Sequence, residues 1–287
     1  MSNLIELIKI LRETTGAGMM DCKKALQENN NDVEAAKDWL REKGITTAAK
    51  KQARIAAEGL TIAKVTPTHS LIAELNCETD FVARGDAFIE LINQIADLLL
   101  EKLPKTQEEA LAFIDPILVV ATVKIGEKLS FRRFELLEVA GKDAFAYMHM
   151  GGKISSLVVL EKADEELARG LAMHIAANAP RYIKLDDVSA AEIEHERAIQ
   201  FEAAKNDEKL AGKPQAMLDK IIDGKVRKTF AEVALLEQIY LMDGTNKVSE
   251  VLKQHANNVV AFYRFQVGEG IDKKKDDFAA EVMAATK

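Results

Sequence analysis

Leu60-Thr61-Ile62-Ala63-Lys64-Val65 is followed by Thr66-Pro67-Thr68-His69 and then by Ser70-Leu71-Ile72-Ala73-Glu74-Leu75-Asn76. From Gly59 the hydrophobic period is two, and a turn built on proline and threonine interrupts it. That pattern predicts two strands joined as a hairpin. A helical pattern from about Thr79 to Lys102 follows directly. The unit then recurs. A gapless shift of 85 positions carries Ser70 onto Ser155, Ala83 onto Ala168, Arg84 onto Arg169, Gly85 onto Gly170 and Ala87 onto Ala172. It also lays the turn at 66–69 on Gly151-Gly152-Lys153-Ile154, and the strand Ile72–Leu75 on Leu157–Leu160. A duplicated ββα unit is expected, and with it an α+β chain whose core holds two related antiparallel-sheet-plus-helix subdomains.

On the N-terminal side the period is helical. Leu4, Leu7, Ile8 and Leu11 form one stripe, and Gly16 and Gly18 break it. A second helix is expected from Met20 to about Glu28. Asn31 with Glu34 has capping-box spacing and opens a third, which Gly44 should stop. Such short amphipathic helices cannot bury their faces singly, so they should pack as a three-helix bundle. An Ala-rich basic stretch from Thr46 to Ala57 reads as a linker helix. Between the two copies, Asp115-Pro116 and Gly126 bracket an expected helix over 116–125, and Leu129–Glu138 reads as a strand.

Beyond the second copy, Ser189 with Glu192 opens a polar helix reaching about Ala211. Gly212-Lys213-Pro214 turns the chain, and Gln215–Lys228 returns. This antiparallel helical hairpin, with Ile193, Ala198, Phe201, Met217, Leu218, Ile221 and Ile222 as its apolar residues, has too little apolar surface for its own core and should protrude. Strands are expected at Val233–Met242 and Val259–Val267, with a helix near Val248–Ala256 between them. A last helix should carry Phe278, Val282 and Met283.

Composition limits the function. The chain has 287 residues, 39 Lys+Arg against 46 Asp+Glu, a formal charge of −7 and 48% hydrophobic residues. These are the proportions of a folded globular protein. The acidic balance argues against direct nucleic-acid binding and against an anionic membrane surface. No apolar run approaches the ~18 residues of a membrane span. Two cysteines make no disulfide framework, and no signal or transit pattern opens the chain, so a cytoplasmic location is expected.

Catalytic patterns are absent. His69, His149, His174, His195 and His255 fall on separate elements without metal-ligand spacing, and no phosphate loop or Gly-x-Ser-x-Gly elbow occurs. No metal, cofactor or enzymatic reaction is therefore expected. Cys77 with a distant histidine is the one nucleophilic arrangement to weigh, and a small buried hydrophobe is the better reading. His174, among Leu171, Ala172, Ile175 and Ala176, reads as a hydrogen-bonded core residue. Two features resist so plain an account. Met19 and Met20 are adjacent, so both cannot enter one core stripe, although composition alone favours packing within the bundle. Thr79-Asp80 suits a helix start, yet the shifted copy has Asp164-Glu165-Glu166 there, so the fold does not need Phe81.

At these residues the chain resembles the bacterial elongation factor Ts family, the guanine-nucleotide exchange factors for elongation factor Tu. The resemblance rests on Thr15-Gly16-Ala17-Gly18-Met19-Met20-Asp21-Cys22-Lys23-Lys24-Ala25-Leu26 and on Asn76-Cys77-Glu78-Thr79-Asp80-Phe81-Val82-Ala83. It continues through His149-Met150-Gly151-Gly152-Lys153-Ile154, Ala172-Met173-His174-Ile175-Ala176-Ala177, Gly212-Lys213-Pro214 and Arg264-Phe265-Gln266-Val267-Gly268-Glu269-Gly270. It departs at Leu236–Leu241, where the family usually has Gln-Pro-Phe, and at Lys153, where arginine is common.

The resemblance implies five parts. They are a ubiquitin-associated-like helical bundle and linker over 1–54, a core N-subdomain over 55–140, and a core C-subdomain over 141–182 with 229–265. A coiled-coil hairpin over 183–228 and a C-terminal helical module over 266–287 complete the chain. It implies that Thr79, Asp80, Phe81 and Val82 intrude into elongation factor Tu and dislodge its Mg²⁺, while Met19, Met20 and His149 dock on that partner. A homodimer or a two-to-two complex stays open, as does a different class of function, a static adaptor that tethers without changing nucleotide affinity.

Overall fold

The N-terminal bundle sets the first landmark in the computed structural model, which describes residues 4–205 and 214–272, with backbone alone at 45, 47 and 49. Helices α1 (Leu4–Thr15), α2 (Met19–Glu28) and α3 (Val33–Lys51) enclose Leu11, Ala17, Cys22, Ala25, Leu26, Ala36 and Leu40. Three expectations differ from this bundle. The cap of α3 is Asp32, whose Oδ1 accepts from the amides of Glu34 and Ala35 at 2.9 and 3.0 Å. Asn31 lies outside the helix, at φ 62°. Gly44 does not end α3 either. It is buried against α6 (Gln107–Ile125), where a Cβ would stand 3.1 Å from Val123 Cγ2. A close helix crossing, not a stop, explains that glycine; the first half of the expected linker helix is the continuation of α3, and the helix ends at Lys51.

The duplicated unit is present. Strands β1 (Glu58–Val65), β2 (His69–Cys77) and β3 (Ser130–Glu138) form one antiparallel sheet in that order. Strands β4 (Asp143–His149), β5 (Ile154–Leu160) and β6 (Val259–Gln266) form a second in the same arrangement. The shift of 85 lays β1 on β4 and β2 on β5, and each copy recruits its third strand from elsewhere in the chain. The middle strands β2 and β5 are almost wholly buried, as strands covered on both faces must be.

Helices cover the outer faces. In the first copy α4 (Asp80–Ala83), α5 (Asp86–Lys102) and α6 pack on the sheet around Leu71, Leu75, Phe88, Ile95, Leu99 and Ile114. In the second, α7 (Glu165–Asn178) and α10 (Val248–Gln254) pack around Val158, Leu160, Leu171, Ile175 and Leu252. Between the sheets, Ala63, Ile72, Leu157 and Phe265 make a smaller apolar layer. The Gly151-Gly152 turn docks on β1. The Thr61 amide donates to the Gly152 carbonyl at 2.7 Å, and Thr61 Oγ1 lies 2.8 Å from Ser155 Oγ. Gly152 has φ 93°, and a Cβ there would fall 2.7 Å from the Thr61 carbonyl, so only glycine admits this approach.

Other element boundaries differ from expectation. The single helix expected over 79–102 is interrupted at Arg84-Gly85, where Gly85 takes an extended conformation and starts α5. Helix α6 begins at the Thr106 cap and carries Pro116 in its interior, ending as expected at Gly126. The strand expected at 233–242 is not formed. Instead α9 (Gln215–Val233) runs on to Val233, and a 3-10 turn at Leu235–Glu237 follows, with single bridges at Tyr182–Ala234 and Ile239–Lys247.

Ser189 and Glu192 do form a reciprocal capping box at α8 (Ala190–Lys205). Helices α8 and α9 have a small core of their own after all, built from Ala204, Ile222, Val226 and Phe230 with Val188 and Phe201. Ile193, Ala198 and Met217 are exposed instead. The hairpin turn at Gly212-Lys213 and the expected terminal helix lie outside the described residues.

Candidate functional site

The short helix α4 projects from the end of β2, and its side chains divide sharply between core and solvent. Ala83 is fully buried and Val82 packs on the first core, whereas Phe81 is 85% exposed. On a helix, successive residues point about 100° apart, so seating Val82 and Ala83 turns Phe81 outward. An apolar ring so placed gains nothing from its own fold.

The ring stands on a well-tied base. Thr79 is the N-cap, with Oγ1 accepting from the Val82 amide at 3.4 Å. Its hydroxyl also donates to Glu127 Oε1 at 2.6 Å, while Glu127 Oε2 accepts from the amides of Glu78 and Thr79 at 3.0 Å each. Asp80 pairs with Arg84 one turn on, at 2.9 Å. The Glu78 carboxylate accepts from Arg54 at 3.2 Å and from the Lys128 amide at 2.6 Å. Lys128 Nζ in turn donates to the carbonyls of Gln52 and Arg54, and Lys51 donates to the Gly126 carbonyl. The loop after α6 therefore touches both the foot of α4 and the chain leaving α3.

The second copy has the same base without the ring. Asp164 caps α7 through the Leu167 amide, Glu165 pairs with Arg169 at 2.8 Å, and Ala168 is fully buried. Glu166 occupies the shifted position of Phe81 and is exposed. The position is solvated in both copies, and only the first fills it with an aromatic.

Met19 and Met20 open α2 and are 58% and 72% exposed, so packing inside the bundle is not their role. His149 ends β4 in solvent with Nδ1 3.0 Å from Tyr147 Oη, next to the exposed Met148 and Met150. The three groups lie on separate elements, and Thr79–Val82 form the longest contiguous stretch among them.

The remaining candidates are internal. Cys77 is fully buried, its Sγ donates to the Thr79 carbonyl at 3.1 Å, and burial, with the Glu127 charge, pushes its thiol up to about 12. Such a thiol holds almost no thiolate at neutral pH and is no nucleophile. His174 is fully buried between Gln238 Oε1 on Nε2 at 2.8 Å and the Leu241 amide on Nδ1 at 3.2 Å, the hydrogen-bonded core residue expected. Gln238 also donates to the carbonyls of Asn178 and Glu232, which commits the segment after α9 to turns instead of a ladder.

The chain was compared with known proteins. The family described as "Elongation factor TS" matches residues 78–269, and one described as "Elongation factor Ts, mitochondrial, N-terminal" matches residues 2–48. A relative named Elongation factor Ts, from Acholeplasma laidlawii, is 47% identical over 286 residues, covering 97% of each chain. The chain belongs to the elongation factor Ts family. As a family member it is a translation elongation factor, and its work lies in protein biosynthesis. The N-terminal match spans most of the bundle, and the longer one starts at Glu78, at the foot of α4. No helix among the described residues is long and apolar enough to cross a membrane.

Two polar residues of this elongation factor escaped the sequence reading. Glu127 carries no spacing signal, since it reaches the cap from 48 positions away. Glu74 is fully buried in β2, bonded to Arg132 at 3.0 Å, Arg133 at 2.7 Å and the Gly268 amide at 2.8 Å. A glutamate inside an apolar strand, facing an Arg-Arg pair in another, was the signal that would have found it.

Proposed function

We propose that this elongation factor is a guanine-nucleotide exchange factor that binds the GTPase elongation factor Tu in its GDP form. It inserts Thr79-Asp80-Phe81-Val82, displaces Mg²⁺ and GDP, and holds the empty GTPase until GTP arrives. The observation that carries this reading is Phe81, an aromatic ring laid almost wholly in solvent on a helix whose Val82 and Ala83 face the core. Met19 and Met20 serve as soft docking residues on the bundle, and His149 serves a second contact on the C-subdomain. The five-part division of the chain, with a bundle, two core subdomains, a hairpin and a C-terminal module, belongs to the same reading.

Exchange makes and breaks no covalent bond. A GTPase grips nucleotide and Mg²⁺ through the phosphates, and release is slow because these contacts fail together. A factor lowers nucleotide affinity only by binding the empty state better than the loaded one, and the linkage is reciprocal. A coupling of ~3 kcal/mol corresponds to roughly 150-fold. Burying the exposed Phe81 ring between partner elements supplies about 1.5–3 kcal/mol of it. Asp80 is not the cap of its helix; it holds Arg84 in the free chain and is available to a partner donor.

The test is stopped-flow release of labelled GDP from elongation factor Tu. At saturating factor, Phe81→Ala should slow release on the order of tenfold. An unchanged rate overturns the wedge, and binding without any acceleration by the wild type favours the static adaptor.

A further inference from the structure

The wedge is held by a residue outside its own segment. We infer that Glu127, from the loop that closes α6, is a positioning residue for the Phe81 wedge; this rests on the exchange reading above. One carboxylate accepts three hydrogen bonds, from the Glu78 amide, the Thr79 amide and the Thr79 hydroxyl, at 3.0, 3.0 and 2.6 Å. All three donors sit at the foot of α4, immediately before the ring. The amide of the N-cap Thr79 has no intrahelical acceptor, so an outside carboxylate fixes it and complements the positive end, while the Glu78 amide ties down the residue before the cap. Finally, α4 is a single turn held on the core only by Val82 and Ala83, and one turn gains little stiffness of its own because it fixes many dihedrals for few bonds.

The second copy supplies the contrast. There α7 runs unbroken from the Asp164 cap into a helix of 14 residues, and its start is stiffened by that length. In the first copy the chain breaks at Gly85, so α4 lacks this support. Glu127 restores it from the side. The neighbouring Lys128 amide fastens the Glu78 carboxylate at 2.6 Å, so the loop grips both sides of the same turn. A ring that must enter a partner is effective only if it arrives oriented, and small misplacements are costly.

The experiment compares GDP release from elongation factor Tu with the full-length wild type, Glu127→Ala and Glu127→Gln, over a range of factor concentrations. Glutamine keeps the shape. Its Oε1 accepts both amides and its Nε2 donates to Thr79 Oγ1. For Glu127→Ala the maximal rate should fall on the order of tenfold with the half-saturating concentration unchanged, since docking elsewhere persists. Glu127→Gln should keep the wild-type maximum. In hydrogen exchange, the amides of residues 78 and 79 should open faster in Glu127→Ala while those of β2 keep their protection. The inference is overturned if Glu127→Ala keeps the maximal rate, if it loses rate only through weaker half-saturation, or if Glu127→Gln is as slow as Glu127→Ala. If the wild type itself leaves GDP release unchanged, the exchange reading fails first and this one falls with it.

Discussion

His174 is the residue where burial leaves the plainest mark on stability. Enclosure pushes its pKa below the ordinary 6.5, against the opposing bond to Gln238. The native state therefore keeps a neutral ring where the unfolded chain takes up a proton. Its contribution is complete above about pH 6.5 and declines as pH falls through that value toward the lower folded one. Urea midpoints at pH 7.5 and pH 5.5 check this. The advantage of wild type over His174→Gln should shrink at the lower pH, and an advantage that grows there would contradict the assignment. Glu74 is also fully buried, but its carboxylate is bonded to Arg132, Arg133 and the Gly268 amide, so the four groups form one unit.

At the scale of elements, glycines separate what the sequence could say from what it could not. The hairpins, the duplication and the α6 stop at Gly126 were legible, because alternation, turn residues and C-caps act over a few neighbours. Gly44 was not, since a helix stop and a close helix crossing call for the same residue. Gly85 and Gly170 occupy equivalent positions yet differ in use, one turning the chain and the other helical beneath Tyr240. A Cβ on Gly170 would stand 1.9 Å from Tyr240 Oη. Gly170→Ala should thus destabilise by about 1–3 kcal/mol although alanine is the better helix former, because crowding outweighs propensity. A lowered urea midpoint at unchanged slope would bear this out, and a raised midpoint would refute it. Phe81 was legible by comparing copies, whereas Glu127 was not, because its contacts depend on how a distant loop folds back.

Across the whole molecule, stability should be uneven. The N-terminal bundle encloses seven buried residues, among them three alanines and one cysteine, whereas the first sheet and its helices share a much larger cluster. Small cores open at lower free energy. Amide exchange followed by mass spectrometry should show α1 and α2 losing protection well before β2 and β5; simultaneous loss would mean that the bundle and the sheets unfold as one unit. The duplication also bears on what this architecture can become. Because Glu166 sits on the same capped and ion-paired base as Phe81, that site is already a pedestal. A bulky ring installed there would face solvent as Phe81 does, giving the scaffold a second place from which to offer an aromatic to a partner.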